Sequence, residues 1–426
     1  MNFIDPVADL SDPVVAQGAV AEGQGAPALA PESWFDIGGV PLDKLVLRAQ
    51  QTPFFAYDRR ALDSRIAQLR AALPEEVDLF YSMKANPFDP LVHHLAARVD
   101  GFDVSSGAEL AQALNAGVAA EDIAFAGPGK NDRELTLAVA TGAILSVESA
   151  GELGRIERIA GELGIAPRLI LRVNPELDLK GVGMRMGGEP RQFGVDMEFC
   201  LDLVRRLMAT HGDNFLGYHV FWGSQCLKAD MIIAAQAGTI DALVALSDQA
   251  GFVPRLINLG GGFGIAYSDG SPPLDLTAVG TALAPRLAAL RQRFGSVRVV
   301  IELGRYLVGE AGYYVCRVLD RKMSRGEIFL VTDGGMHHHL AASGNLGQIL
   351  RRNYPMLVGN RADAPPFEKA HVAGCLCTPI DMLGHNVALP QTEAGDLIVI
   401  RQSGAYGPSS SPSGFLSHPA ATELLV

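Results

Sequence analysis

Short apolar runs alternate with stretches of helical period through the middle of the chain. Pro53-Phe54-Phe55-Ala56-Tyr57 reads as a strand leading into a helix over Arg59–Ala72. Further strands are predicted near Leu79–Met83, Gly101–Val104, Ile123–Ala126, Ala143–Val147, Leu169–Val173, Phe215–Val220, Leu256–Leu259 and Val297–Ile301. Between them, apolar residues recur with a period of about 3.6 over Ala108–Ala116, Gly151–Ala160, Leu201–Thr210, Met231–Gln249 and Leu276–Phe294. Strand–helix units in this number predict an α/β chain built as a (β/α)8 TIM-like barrel, with a doubly wound open sheet as the alternative. A barrel would carry its functional residues at the C-terminal ends of its strands.

After Arg305 the texture changes. Tyr306–Asp320, Glu327–Asp333, Phe367–Cys375 and Gly395–Arg401 are β-rich with Gly and Pro turns, which predicts a second, mostly β domain. Residues 1–30 lack periodicity and read as a flexible tail. The expected division is a tail over 1–30, a β domain from 31–58 and 306–426, and a barrel over 59–305.

The composition agrees with two domains: 426 residues, 48% of them hydrophobic, suffice for a large core. A net charge of −12 gives no electrostatic case for nucleic acid or an anionic membrane as partner. No apolar run reaches the roughly 18 residues of a membrane span. The first 43 residues contain no Lys, Arg or His, so the basic start of a signal peptide is missing and a cytoplasmic location is expected.

Five cysteines, an odd number, show no disulfide-framework spacing. Cys375-Leu376-Cys377 is too tight for a C-x2-C zinc half-site. Three adjacent side chains, His337, His338 and His339, cannot all face one ion, so no metal is expected.

Candidate chemistry lies where the strands end. Phe80-Tyr81-Ser82-Met83-Lys84-Ala85-Asn86-Pro87 carries a single lysine among apolar and aromatic neighbours, a setting for a desolvated amine of lowered pKa that forms a Schiff base. Asp103 closes the next strand, with Ser105 and Ser106 free to cap the following helix and Glu109 one turn on. Arg172 lies inside an apolar run and needs a partner; an ion pair is its structural reading. His219 ends the sixth strand, and Gly223-Ser224-Gln225 follows with donors for an anion. Gly260-Gly261-Gly262 comes just after the seventh strand, where consecutive backbone N–H groups can converge on a phosphate. Glu302 and Arg305 end the eighth, one suited to a cationic ring nitrogen and the other to an anion.

These islands, in this order, resemble the fold-type III (alanine-racemase-like) pyridoxal-phosphate decarboxylases, the family of diaminopimelate, ornithine and arginine decarboxylases. The resemblance runs from about Phe54 to Tyr406 through Tyr-x-x-Lys-Ala, Phe-Asp-x-x-Ser, His with Gly-Ser-Gln, Gly-Gly-Gly-Phe, Glu-x-Gly-Arg, Cys-x-x-x-Asp and Gly-Ala-Tyr. It implies a carboxy-lyase that uses pyridoxal 5′-phosphate, bound through a Lys84 Schiff base. By the same resemblance His219 would stack on the ring and Glu302 would pair with its nitrogen. Gly260, Gly261, Gly262, Ser224, Arg305 and Tyr406 would surround the phosphate, and Asp103, Glu109 and Arg172 would orient the ring substituents and His219. Cys377 would return a proton to Cα and Asp381 would contact the substrate amine, both from the other subunit of a homodimer. Arg351, Arg352 and Tyr354 resemble the segment that holds the substrate carboxylate.

Two departures stand out. Members commonly read His-x-Gly-Ser, whereas Val220, Phe221 and Trp222 separate His219 from Gly223. Diaminopimelate decarboxylases follow the cysteine with Glu-Ser, whereas this chain has Thr378-Pro379. Leu-Cys-Thr-Pro-x-Asp is more similar to decarboxylases of biosynthetic clusters, the exosortase-associated group and the group acting on carrier-tethered glutamate in butirosin synthesis. The expected substrate is therefore an L-amino acid or derivative, either a carrier-tethered glutamyl group or a diamino acid, with free diaminopimelate as the alternative. A racemase or a non-catalytic cofactor carrier of the same fold ranks below these: a racemase takes its second base from a tyrosine, and barrel-only carriers lack a β domain.

Overall fold

The computed structural model describes residues 32–175, 184–185, 191–267, 272–345 and 352–426; the 1–30 segment and Arg351 lie outside them. Eight strands form the barrel: β1 (Val77–Ser82), β2 (Gly101–Val104), β3 (Ile123–Phe125), β4 (Ile144–Val147), β5 (Arg168–Asn174), β6 (Phe215–His219), β7 (Leu256–Asn258) and β8 (Arg298–Leu303). Each pairs in parallel with the next, and β8 returns to β1 in the register Glu302↔Phe80 and Leu303↔Tyr81. That last pairing closes the sheet and removes the open-sheet alternative.

The intervening helices are fixed at their starts by the residue types that favour caps. The side chain of Asp58 accepts from the Arg60 and Ala61 N–H groups, that of Ser106 from Glu109, and Asn131 forms a reciprocal capping box with Glu134. Their apolar faces cover the barrel. Ala229–Ala250, 22 residues long and apolar enough by length and composition to cross a membrane, buries Ile232, Ala235, Ile240, Leu243 and Leu246 and packs beside Leu276–Phe294. Each of the Ile and Leu side chains, fully buried, contributes about 1.5–3 kcal/mol relative to exposure.

The β-rich domain is organised by the long strand Gly312–Ser324. It pairs antiparallel with Phe54–Tyr57, Leu397–Ile400 and Glu327–Thr332, and the sheet continues through Glu368–Ala373 to Met382–Leu389. Phe54–Tyr57 also pairs with the terminal strand Thr422–Leu425. The stretch predicted as β from Tyr306 opens instead with a helical turn, Arg305–Val308, and extends only from Gly312. Three strands, Met356–Val358, Met382–Leu389 and Thr422–Leu425, had no sequence signal strong enough to predict them.

The two domains meet at the mouth of the barrel. Lys84 falls in a 3-10 turn, Met83–Ala85, just beyond β1. Asn86 braces that turn: its Oδ1 accepts from Phe88 N, its Nδ2 donates to Gly404 O, and Tyr81 Oη donates to its carbonyl. Tyr406 N donates to Ala85 O at 2.8 Å, so the β-domain loop Gly404–Tyr406 is stitched beside the lysine.

Candidate active site

Three ionisable side chains from non-adjacent segments converge with Lys84 at the C-terminal ends of the strands. Lys84 Nζ lies 3.5 Å from Asp103 Oδ2; the carboxylate is buried while the lysine side chain keeps 43% of its surface open to the mouth. His219 Nε2 lies 3.4 Å from Glu302 Oε1, without the alignment of a hydrogen bond. His219 Nδ1 is 3.0 Å from Ser146 Oγ. Asn258 Nδ2 donates to Glu302 Oε2 at 2.9 Å, and its Oδ1 accepts from Gly260 N at 2.8 Å.

The field of this cluster corrects the expectation for the lysine. Burial pulls the Lys84 pKa down, but the carboxylates of Asp103 and Glu302 outweigh it and raise the pKa above the ordinary value. The amine therefore rests as an ammonium. Burial, together with the charge of Glu302, raises Asp103 to about 6, despite the opposing pull of Lys84 and His219. Burial also acts to raise Glu302, but His219, Lys84 and the Asn258 amide overcome it and hold the acid down at about 2. Two carboxyl groups in one pocket thus separate into a permanently ionised acid and one poised to exchange a proton.

The glycine run forms a cradle that larger residues would fill. A Cβ on Gly261 would lie 1.8 Å from Glu302 O, and one on Gly260 2.4 Å from Val220 O. Gly260 and Gly262 have φ of +67° and +90°, values that favour glycine. The Gly260 N–H is already bonded to Asn258, but those of Gly261 and Gly262 have no hydrogen-bond partner among the described residues. Arg305 opens the helical turn Arg305–Val308 just past the end of β8. Its Nη1 donates to Tyr267 Oη at 2.6 Å, and its guanidinium lies 4.6 Å from the Tyr406 ring centre. Tyr354 is buried against Tyr267, with ring centres 4.5 Å apart, which joins it to the Arg305 group. Arg352 is exposed.

The structure gives several expected site residues specific partners. His219 is held by Ser146 and Glu302, while Arg172 and Glu109 have other partners. Arg172 Nη1 donates to Glu148 Oε1 at 2.7 Å in a buried ion pair, its structural reading. Glu109 accepts from Ser105 N at 2.7 Å, closing the cap of its own helix. Asp381 is buried, with Oδ1 accepting from Met336 N at 2.6 Å and Oδ2 from Leu376 N at 2.8 Å. These bonds tie it into the turn that carries Cys377. Cys377 itself is exposed on that turn, and Ser224 sits in a two-residue strand with Gly223, partly buried.

The sequence reading also missed Phe221. Lys84 Nζ lies 5.6 Å from its ring centre, so an aromatic face is turned to the lysine while His219, two residues earlier, is enclosed in the barrel. The signal was the altered spacing itself: Phe221 precedes Gly223 by two residues, the place of the histidine in His-x-Gly-Ser. Ser146, Asn258 and Tyr267 were missed as well. Asn258 alone had a local cue, directly before the glycine-rich turn.

Together these residues fit pyridoxal 5′-phosphate. The free Gly261 and Gly262 amides and Arg305 suit the phosphate, Glu302 a protonated ring nitrogen, Phe221 the ring face and Lys84 the aldehyde carbon. Asp103 Oδ1, His219 Nε2 and Arg305 Nε are buried without hydrogen-bond partners among the described residues, as expected where polar groups await a ligand.

Comparison with known proteins agrees with this fit. Residues 59–309 match the family described as pyridoxal-dependent decarboxylase, pyridoxal binding domain. The chain is 40% identical over 383 residues to the L-glutamyl-[BtrI acyl-carrier protein] decarboxylase of Niallia circulans, covering 88% of this chain and 89% of that protein. It is 30% identical over 401 residues to a diaminopimelate decarboxylase of Neisseria meningitidis, covering 91% and 92%. The crystal structure of diaminopimelate decarboxylase from Helicobacter pylori complexed with L-lysine superposes with a TM-score of 0.79 at 28% identity, covering 90% of this chain and 94% of that one.

Proposed function

The chain belongs to the pyridoxal-dependent decarboxylases, and from that premise we propose that its substrate is an α-amino acid tethered through its side chain to an acyl carrier, a glutamyl group first. Pyridoxal 5′-phosphate, when bound, supplies a ring that takes up the electron pair left at Cα as CO2 departs. The protein's own groups prepare that event. Glu302, ionised throughout the working pH range, keeps a proton on the ring nitrogen. Asp103, 3.5 Å away, holds the Lys84 ammonium in place until the amine gives up its proton and becomes a nucleophile. Phe221 covers one face of the ring, and Arg305 with the Gly261 and Gly262 amides anchors the phosphate. Cys377 returns a proton to Cα, delivered from the second subunit of a homodimer.

The observation that carries the substrate class is Thr378. Beside Cys377 it offers an uncharged hydroxyl where a carboxylate would be needed to pair with the distal ammonium of a free diamino acid. The higher identity to a protein named for a carrier-bound glutamyl substrate points the same way. Because the α-carboxylate leaves as CO2, the carrier must be attached through the side-chain carboxyl.

The test is to incubate the holoenzyme with a γ-glutamyl phosphopantetheine carrier, free L-glutamate and free meso-diaminopimelate, following CO2 and product mass. Release of CO2 from the tethered substrate at a kcat/KM at least about a hundredfold above either free acid supports the proposal. Comparable or faster turnover of free diaminopimelate overturns it.

A further inference from the structure

We propose that His337, Cys375 and His418 bind one zinc ion in the β-rich domain. Each side chain offers one ligand atom, and the three atoms lie within 4.8 Å of one another. Cys375 Sγ and His418 Nε2 are already 4.0 Å apart. Ligand atoms on one zinc stand roughly 3.3–3.8 Å from each other, given Zn–N of about 2.0–2.1 Å and Zn–S of about 2.3 Å. The closing movement is within reach of side-chain rotation. Two imidazole nitrogens and a thiolate form a donor set that suits zinc and leaves a fourth position for water.

His337 supplies an independent reason. It is fully buried, yet neither ring nitrogen has a hydrogen-bond partner among the described residues. An imidazole enclosed in that way loses the hydration of both polar atoms, and a metal on one nitrogen would give that atom a partner. The adjacent histidines lie outside the cluster of three ligand atoms and have partners of their own. His338 Nδ1 lies 3.1 Å from Tyr314 Oη and its Nε2 2.8 Å from Pro419 O, while His339 Nδ1 accepts from Ala342 N. The run of three histidines therefore contributes one ligand.

All three ligands are also held through their chain neighbours. Asp381 accepts from the N–H of Met336, next to His337, and from that of Leu376, next to Cys375. His338 holds the carbonyl of Pro419, next to His418. These outer bonds anchor the backbone beside each ligand, and side-chain rotation completes the approach. A zinc ion here would join three separate segments and brace the turn that carries Cys377.

The experiment measures zinc per chain in untagged holoenzyme after zinc loading and exhaustive dialysis, together with the visible d–d bands of the cobalt-loaded protein. Parent and Cys377→Ser should retain about one metal per chain. Cys375→Ser and His418→Gln should retain roughly tenfold less or lower still. The cobalt bands should lose their tetrahedral intensity in Cys375→Ser, with the circular dichroism of both variants unchanged. Zinc absent from the parent, or equal in parent and the two ligand variants, overturns the assignment, as does a loss in Cys377→Ser equal to that in Cys375→Ser.

Discussion

The Lys84 ammonium lies 3.5 Å from a carboxylate oxygen of Asp103, an acid so enclosed that its other oxygen has no hydrogen-bond partner among the described residues. The pair sets the pH at which the amine becomes available. Asp103→Asn keeps the shape and removes the nearest negative charge, so burial acts on Lys84 with less opposition and its pKa falls. The pH midpoint for cofactor loading, followed by absorbance, should move to lower pH in Asp103→Asn. An unchanged midpoint would mean that Asp103 does not govern the lysine.

Glu302 gives a stability signature of opposite sense from that of a buried neutral acid. Its folded-state pKa, near 2, is below the ordinary 4.5, so the stability it contributes is present above 4.5 and is lost as pH falls toward 2. Glu302→Gln should destabilise the apoprotein at neutral pH by roughly 1–3 kcal/mol, with a smaller penalty at acid pH. In the loaded enzyme it should lower kcat by about 10²–10³ through loss of the charge opposite the ring nitrogen. Denaturant melts at several pH values read the first effect, and steady-state rates the second.

The barrel was legible because each β/α unit repeats the same local signals. Short apolar strands end in glycine, proline or serine, and helices begin at Asp58, Ser106 and Asn131, residues whose side chains cap them. The acid, base and glycine components of the site were legible for the same reason, since strand ends can be read from sequence. What failed was side-chain partnership. Nothing local assigns Arg172 to Glu148, or puts Asp381 under Met336, because those contacts depend on how distant segments pack. The sign of the Lys84 shift was missed similarly: its apolar sequence neighbours suggested desolvation, while Asp103 and Glu302 arrive from other strands.

Phe221 should matter to cofactor affinity and His219 to the charge state of Glu302. Truncation in Phe221→Ala removes the aromatic face beside Lys84 and should weaken cofactor binding by about 0.5–1.5 kcal/mol, up to roughly tenfold in Kd. Phe221→His, which restores a ring, should stay near the parent. Absorbance titration of the apoenzyme checks both; equal affinity for Phe221→Ala and parent would place the stacking face elsewhere.

Asp381 is expected to act on the fold of its turn. Asp381→Ala leaves the Met336 and Leu376 N–H groups without their acceptor, a cost of about 1–3 kcal/mol for each buried group left unpaired. Thermal melting should show the loss in the absence of substrate. A variant with parental stability and only a raised KM would instead assign Asp381 to the substrate amine.

Cys377 provides the sharpest test of a shared site. It is exposed on the β-domain turn, whereas Lys84 lies in the barrel mouth, and each is proposed to complete a site with the other's counterpart across a homodimer. Cys377→Ala should retain the cofactor absorbance and lose about 10²–10⁴ in turnover, the usual worth of a positioned proton donor. Lys84→Ala should be inactive for a different reason, since it lacks the covalent anchor. Mixed in equal amounts under subunit exchange, the two inactive variants would form heterodimers in about half of the population, each with one site carrying both native residues. Activity should then recover to about a quarter of the parent value, because half of the dimers hold one intact site of two. A mixture that exchanges subunits, shown by mass spectrometry of differentially labelled chains, and still recovers no activity would place Lys84 and Cys377 in the same chain's site.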